Sequence, residues 1–266
     1  RKCSLWRIKL DSMIRNSQIA NQDIQKHIVS IRARFYCILA LILWSYSHGE
    51  PFVAGLNAMD REHYATAFRA WKGLADSGEA EAQNNLGYLY QHGHGAKQSY
   101  TKAIRFYTMA ADQGLPEASH NLGMLYFQGY GNPQNYDKAK RFFLTAAEKE
   151  LAASEYMLGL IYYQGYGLMQ NYDRAKTYFV KAAKNGNTMG QFMLSFMLQV
   201  GEGHPDREPE PLKAFIWSSI AIINGYAKAD SVLNFAKMQL TVSLQEKAHE
   251  QAVKCIESDY KKGCPS

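Results

Sequence analysis

Three arrangements in this chain carry residue types that could do chemistry. Ser99-x-x-Lys102 and Ser258-x-x-Lys261 have the spacing of the serine nucleophile motif of β-lactam-recognising enzymes. Such a serine needs a base and an oxyanion hole. No Lys-Thr-Gly or Ser-x-Asn partner accompanies it here. His92-x-His94 offers two zinc ligands, but no nearby Cys or His completes a tetrahedron. Gly-x-Gly occurs at Gly93/Gly95, Gly129/Gly131, Gly165/Gly167 and Gly201/Gly203. A phosphate cradle would follow a strand, whereas these follow helical patterns, so their recurrence reads as architecture. No catalytic residue, metal or cofactor is therefore expected. Cys255 and Cys264 stand nine residues apart. With Gly263 turning the tail back they can bridge in an oxidising compartment, or remain two free thiols on a frayed end.

The elements that position these residues come from an internal repeat. A shift of 36 residues aligns Ala82–Tyr90 with Ala118–Tyr126 and Ser154–Tyr162, with a worn fourth copy at Gly190–Leu198. The same shift superposes Tyr100/Tyr136/Tyr172 and Ala103/Ala139/Ala175. A fixed period of this length marks a solenoid, in which each unit buries its apolar face against its neighbours. Ala82, Leu86, Leu89 and Tyr90 recur at helical spacing and define a first helix, A, ended by the glycine pair. A second helix, B, is expected to be capped by Thr101, Asp137 or Asp173. Its inner face is Ala103, Tyr107, Ala110 and Ala111, and the equivalents of these in later copies. Gly114 and Gly186 end helix B, and Glu150 replaces glycine between them with a poorer cap.

The expected fold is all-α, a right-handed α-solenoid of antiparallel helix pairs with a C-terminal capping helix. The chain divides into a basic extension (1–34), an apolar segment with a cleavage site (35–49), a degenerate helix pair (50–78) and repeats at 79–114, 115–150 and 151–186. A divergent repeat with a Pro-rich insertion (187–227) and capping helices (228–266) follow. The fourth helix B resumes about three residues late, near Lys213-Ala214-Phe215-Ile216-Trp217, and Ser243-Leu244-Gln245-Glu246 reads as a capping box for the last helix.

The pattern Ala-x3-Leu-Gly-x2-Tyr-x2-Gly-x-Gly, then Tyr-Asp-x-Ala-x3-Phe/Tyr and Ala-Ala, resembles the Sel1-like repeat, a 36-residue relative of the tetratricopeptide repeat. The likeness covers roughly residues 53–260 and extends to secreted bacterial members. It implies a scaffold or adaptor without catalysis, often in the bacterial envelope or at a host interface, with another protein or peptide as its partner. By the same analogy helix A lines a concave groove. The stripe that varies between copies reads Asn84, Tyr88, Gln91; His120, Met124, Phe127; Tyr156, Leu160, Tyr163; and Phe192, Phe196, Gln199, with Asn85, Asn121 and Gln128 beside it. Aromatic, Met and amide side chains suit a peptide. The same stripe equally suits packing of repeat on repeat. A cysteine-rich branch of the family, linked with β-lactam binding, staples each repeat with a Cys pair, which this chain lacks. A β-lactam or peptidoglycan hydrolase and a cytosolic assembly adaptor are the alternative functions.

The charge follows the chain's two parts. The sequence has 266 residues with 30 Lys+Arg and 24 Asp+Glu. Residues 1–34 hold eight bases and two acids, leaving 22 of each in the rest. A neutral body with interspersed signs predicts no nucleic-acid partner. Phe35–Trp44 is too short for a membrane span but fits a secretory apolar core, with Ser45, Ser47 and Gly49 at the cleavage site. Export to the periplasm or outside is expected, with a membrane tether through an uncleaved anchor as the alternative. The apolar core lies too far from Arg1 for an ordinary signal peptide, so translation is expected to start near Val29 or at Met13.

Overall fold

The structure, a computed structural model, describes residues 51–260 and 262–265, so the apolar segment and its cleavage site lie outside the described residues. Among the described residues it is all-helical. A helix over 51–60, α1, is followed by α2 (Tyr64–Asp76). Three pairs then recur at the predicted period: α3 (Ala80–His92) with α4 (Tyr100–Asp112), α5 (Pro116–Gln128) with α6 (Tyr136–Ala147), and α7 (Ala152–Gln164) with α8 (Tyr172–Lys184). The fourth pair is α9 (Thr188–Val200) with α10 (Pro211–Ile223). A short 3-10 turn (Ala227–Ala229), α11 (Asp230–Met238) and α12 (Val242–Glu257) close the array. From α2 to α11 each helix packs on the next in sequence, and α10 is also covered by α12. Its run Ala214–Ala221 is consequently buried on all sides.

The pairs α3–α4, α5–α6 and α7–α8 are each held by one aromatic ring laid on a glycine. A Cβ on Gly87 would stand 2.6 Å from the Tyr107 ring, and one on Gly123 or Gly159 would stand 2.6 or 2.5 Å from Phe143 or Phe179. All three rings are fully buried. Each contributes about 1.5–3 kcal/mol by leaving water. The first pair uses the same device with Trp71 against Gly55, and the Trp71 indole also donates to the Phe52 carbonyl at 3.2 Å.

The Gly-x-Gly pair divides its labour. Gly93, Gly129, Gly165 and Gly201 take a left-handed conformation as C-caps of the A helices. The second glycine seats the loop on the start of the preceding B helix. A Cβ on Gly131 would lie 2.5 Å from Tyr100 Cβ, and one on Gly167 would lie 2.8 Å from Tyr136 Cβ. Between the two glycines an aromatic residue stacks on that same tyrosine: His94 on Tyr64 at 4.0 Å, Tyr130 on Tyr100 at 5.1 Å and Tyr166 on Tyr136 at 5.2 Å. The motif is thus the joint between repeats.

The caps depart from the expectation. Helix B is capped two residues upstream of Thr101, Asp137 and Asp173: the side chains of Ser99, Asn135 and Asn171 accept from the N–H groups of Lys102, Lys138 and Arg174. The tyrosine that stacks on the next loop becomes the first helical residue. For the same reason the box at Ser243 is displaced, because Thr241 caps α12 by accepting from Leu244 N–H. Glu150 adopts φ 59°, the left-handed value that Gly114 and Gly186 take freely.

A second lock runs through the buried polar position at residues 83, 119, 155 and 191. Gln83 donates to the Ala75 carbonyl at 3.2 Å and accepts from Gln113 at 2.8 Å. Gln191 does the same with Ala183 and Asn224. Glu155 stands in their place, 2 % exposed, and accepts from Asn185 at 2.9 Å. An ionised carboxylate has no hydrogen for the donor half, and burial raises its pKa.

Candidate binding surface on the A helices

The stripe chosen from the sequence does run along one side of the A helices, but its four steps differ in accessibility. On α3, Tyr88 is 39 % exposed and its ring lies 4.1 Å from that of His92. His94 stacks nearby, 5.7 Å from His92 and 4.0 Å from Tyr64. The two histidines the sequence offered as metal ligands therefore serve as ring platforms here. Among the described residues no group of three or more His, Cys, Asp or Glu could hold a metal ion. Asn84 accepts from Asn121 of the next repeat at 2.9 Å, Asn85 is half-buried beside it, and Gln91 accepts the Tyr107 hydroxyl hydrogen at 2.9 Å.

On α5 the residues turn inward. The His120 ring nitrogen bonds Ser154 Oγ at 2.8 Å and its ring leans on Phe143. Burial pushes its pKa down to about 4, so it is neutral at physiological pH. Met124 packs on the core between α6 and α7, and Phe127 meets Tyr136 and Tyr166 edge-on. On α7, Tyr156 and Tyr163 pack against Phe179, while Leu160 joins two core clusters. Burial and a hydrogen bond to Glu202 hold the Tyr163 hydroxyl well above its ordinary pKa. On α9, Phe192 packs on Tyr226 at 5.2 Å and Phe196 on the last core cluster, with Gln199 buried against Gln239.

The structure thus divides the stripe. Its first step is an accessible aromatic and amide surface, and its later steps are mostly packing between repeats. Sequence reasoning missed Tyr64, His92 and His94 as members of the first step. The signal was present in the aromatic residue that sits inside Gly-x-Gly in three copies and in the tyrosine that opens each B helix.

The serine candidates are occupied. Ser99 Oγ accepts Lys102 N–H at 3.3 Å as a helix cap, and the Lys102 ammonium stands 5.0 Å over the Tyr90 ring. Ser258 Oγ donates to Cys255 O at 2.8 Å and accepts from Lys262 N at 2.9 Å. Lys261 lies outside the described residues. At the C-terminus Cys255 and Cys264 are joined in a disulfide, with Cα atoms 4.9 Å apart. The closed tail is fastened further by Trp217 Nε1 donating to Pro265 O and Gln251 Nε2 to Gly263 O.

Antiparallel helix pairs stacked at a fixed period, with a variable stripe on one helix of each pair, define an α-solenoid. The Sel1 repeat family matches residues 80–115, 116–151, 152–187 and 188–226, and the chain belongs to that family. Sel1 repeats generally serve as protein-interaction scaffolds, and the fold is typically non-catalytic. A Sel1 repeat protein from Oxalobacter formigenes is similar in structure, with 28% identity, a TM-score of 0.62, and cover of 72% of this chain and 79% of its own. A protective antigen of uropathogenic Escherichia coli, c5321, which displays an SLR fold, shares 22% identity with a TM-score of 0.47 over 74% of this chain and 50% of its own. No curated protein sequence matches the chain.

Proposed function

We propose that this protein is a non-catalytic scaffold that holds a peptide or protein segment along the A helices, anchored at the first repeat. The observation that carries the reading is the cluster of Tyr88, His92, His94 and Tyr64 beside the amides Asn84, Asn85 and Gln91. Flat rings supply contact area at small conformational cost, and amides read the hydrogen-bonding pattern of a backbone. The test places a photo-crosslinking amino acid at position 88 in producing cells, with the same group at the exposed Glu250 on α12 as control. A discrete protein adduct at 88 and none at 250 supports the groove. Equal labelling at both positions, or none at 88, overturns it.

The proposal places the protein in the bacterial envelope or outside, on the strength of the Phe35–Trp44 segment and its small-residue flank. The disulfide is in keeping with an oxidising compartment. Among the described residues no helix is long and apolar enough to cross a membrane. N-terminal sequencing of protein fractionated from cells tests the placement. A terminus at His48 or Glu50 in the envelope or medium is expected, and an intact segment in the cytosol would favour the intracellular adaptor.

A further inference from the structure

The sequence spreads its charges evenly, but the fold sorts them. The A helices α3, α5, α7 and α9 contain no Lys or Arg at all. The B helices α4, α6 and α8 contain nine Lys and Arg against three Asp. Two cations stand on the outer face of each of α4 and α6, Lys102 with Arg105 and Lys138 with Arg141, and Arg174 continues the row on α8. All five are exposed, and none forms an ion pair with a described carboxylate. One of them per repeat is held in place by a ring of the A helix. Lys102, Lys138 and Arg174 lie over Tyr90, Tyr126 and Tyr162 at 5.0, 5.2 and 5.4 Å from the ring centroids. A cation fixed this way loses less freedom on binding than a free surface lysine.

We propose that this B-helix row is a second docking surface, separate from the A-helix groove, and that its occupant is an acidic protein segment with carboxylates grouped at the spacing of the repeats. Asp137 and Asp173 open two of the same helices. Each stands next to a cation of the row, Lys138 or Arg174, so the surface carries acids among its bases, which matches a protein partner and works against a continuous phosphate polymer. The arginines present planar forks suited to bidentate capture of carboxylates.

The test uses the intact disulfide-bonded protein and a fluorescent peptide alternating glutamate and serine, read by anisotropy at low salt. Saturable binding is expected, weakened about tenfold when Arg105→Glu and Arg141→Glu are combined, and weakened again by added salt. Arg105→Gln with Arg141→Gln should show a smaller loss at unchanged helicity, which separates lost charge from lost fold. Absence of binding, or binding indifferent to both pairs of substitutions, overturns the proposal. So does tighter binding of an oligothymidine of equal charge or of anionic phospholipid vesicles, which would make the occupant a phosphate surface.

Discussion

His120 on α5 and Glu155 on α7 lie in successive repeats at different positions of the unit and respond to acid in opposite senses. His120 has its pKa lowered from 6.5 to about 4 by burial. The unfolded chain takes up its proton first, so stability is expected to fall as the pH drops from about 6.5 towards 4, by on the order of 3 kcal/mol. Urea titrations across that range check this, and His120→Asn should flatten the slope. Glu155 is raised by burial, so the folded state binds its proton more tightly. Its contribution is present below the ordinary carboxyl range and is lost as pH rises through its folded value. Glu155→Gln restores the donor that Gln83 and Gln191 possess. The variant is expected to be about 1 kcal/mol more stable at neutral pH and to converge with the parent in acid. The period made positions 83, 155 and 191 equivalent on paper. What paper could not show is that they are buried polar locks, because their partners, Ala75 and Ala183 carbonyls, are backbone atoms invisible to residue type.

At the scale of the helix, two substitutions of similar appearance should act in opposite directions. Gly159→Ala improves intrinsic helix propensity by about 1 kcal/mol. Its methyl would meet the Phe179 ring at 2.5 Å, so a net loss of about 1–3 kcal/mol is expected in thermal or urea melts. Glu150→Gly removes a left-handed non-glycine residue at the end of α6, and a gain of about 0.5–1 kcal/mol is expected in the same measurement. The helix pairs were legible because aromatic, glycine and alanine positions repeat in register. The caps were misread by two residues, since Thr101, Asp137 and Asp173 are as good capping types as Ser99, Asn135 and Asn171. Only the stack of Tyr100, Tyr136 and Tyr64 on the following loop settles which turn comes first. The stripe was legible but its gradient of exposure was not, because exposure depends on neighbouring repeats that share its residue types.

Over the whole molecule, the sorting of charge is the property least visible in a linear reading. Equal numbers of acids and bases describe the composition of residues 35–266, yet the A and B helices present two unlike surfaces. The ends are also unlike. The last pair is sealed by α11, α12 and the Cys255–Cys264 bridge, whose loop closure is worth about 2–3 kcal/mol. Reduction is expected to raise amide exchange in α12 and around Trp217 while leaving α3–α6 unchanged, as hydrogen-exchange mass spectrometry would show. The Gly-x-Gly joint has a different consequence for length. Every joint is made between one loop and the helix start one unit earlier, so each unit carries both halves of the fitting and needs no custom partner. Genetic duplication or excision of a whole unit therefore leaves every remaining fitting intact, whereas a change of any other length misaligns the loop with its seat. Such an array can be lengthened like a chain of identical couplings, and its reach is free to evolve in single steps of one unit.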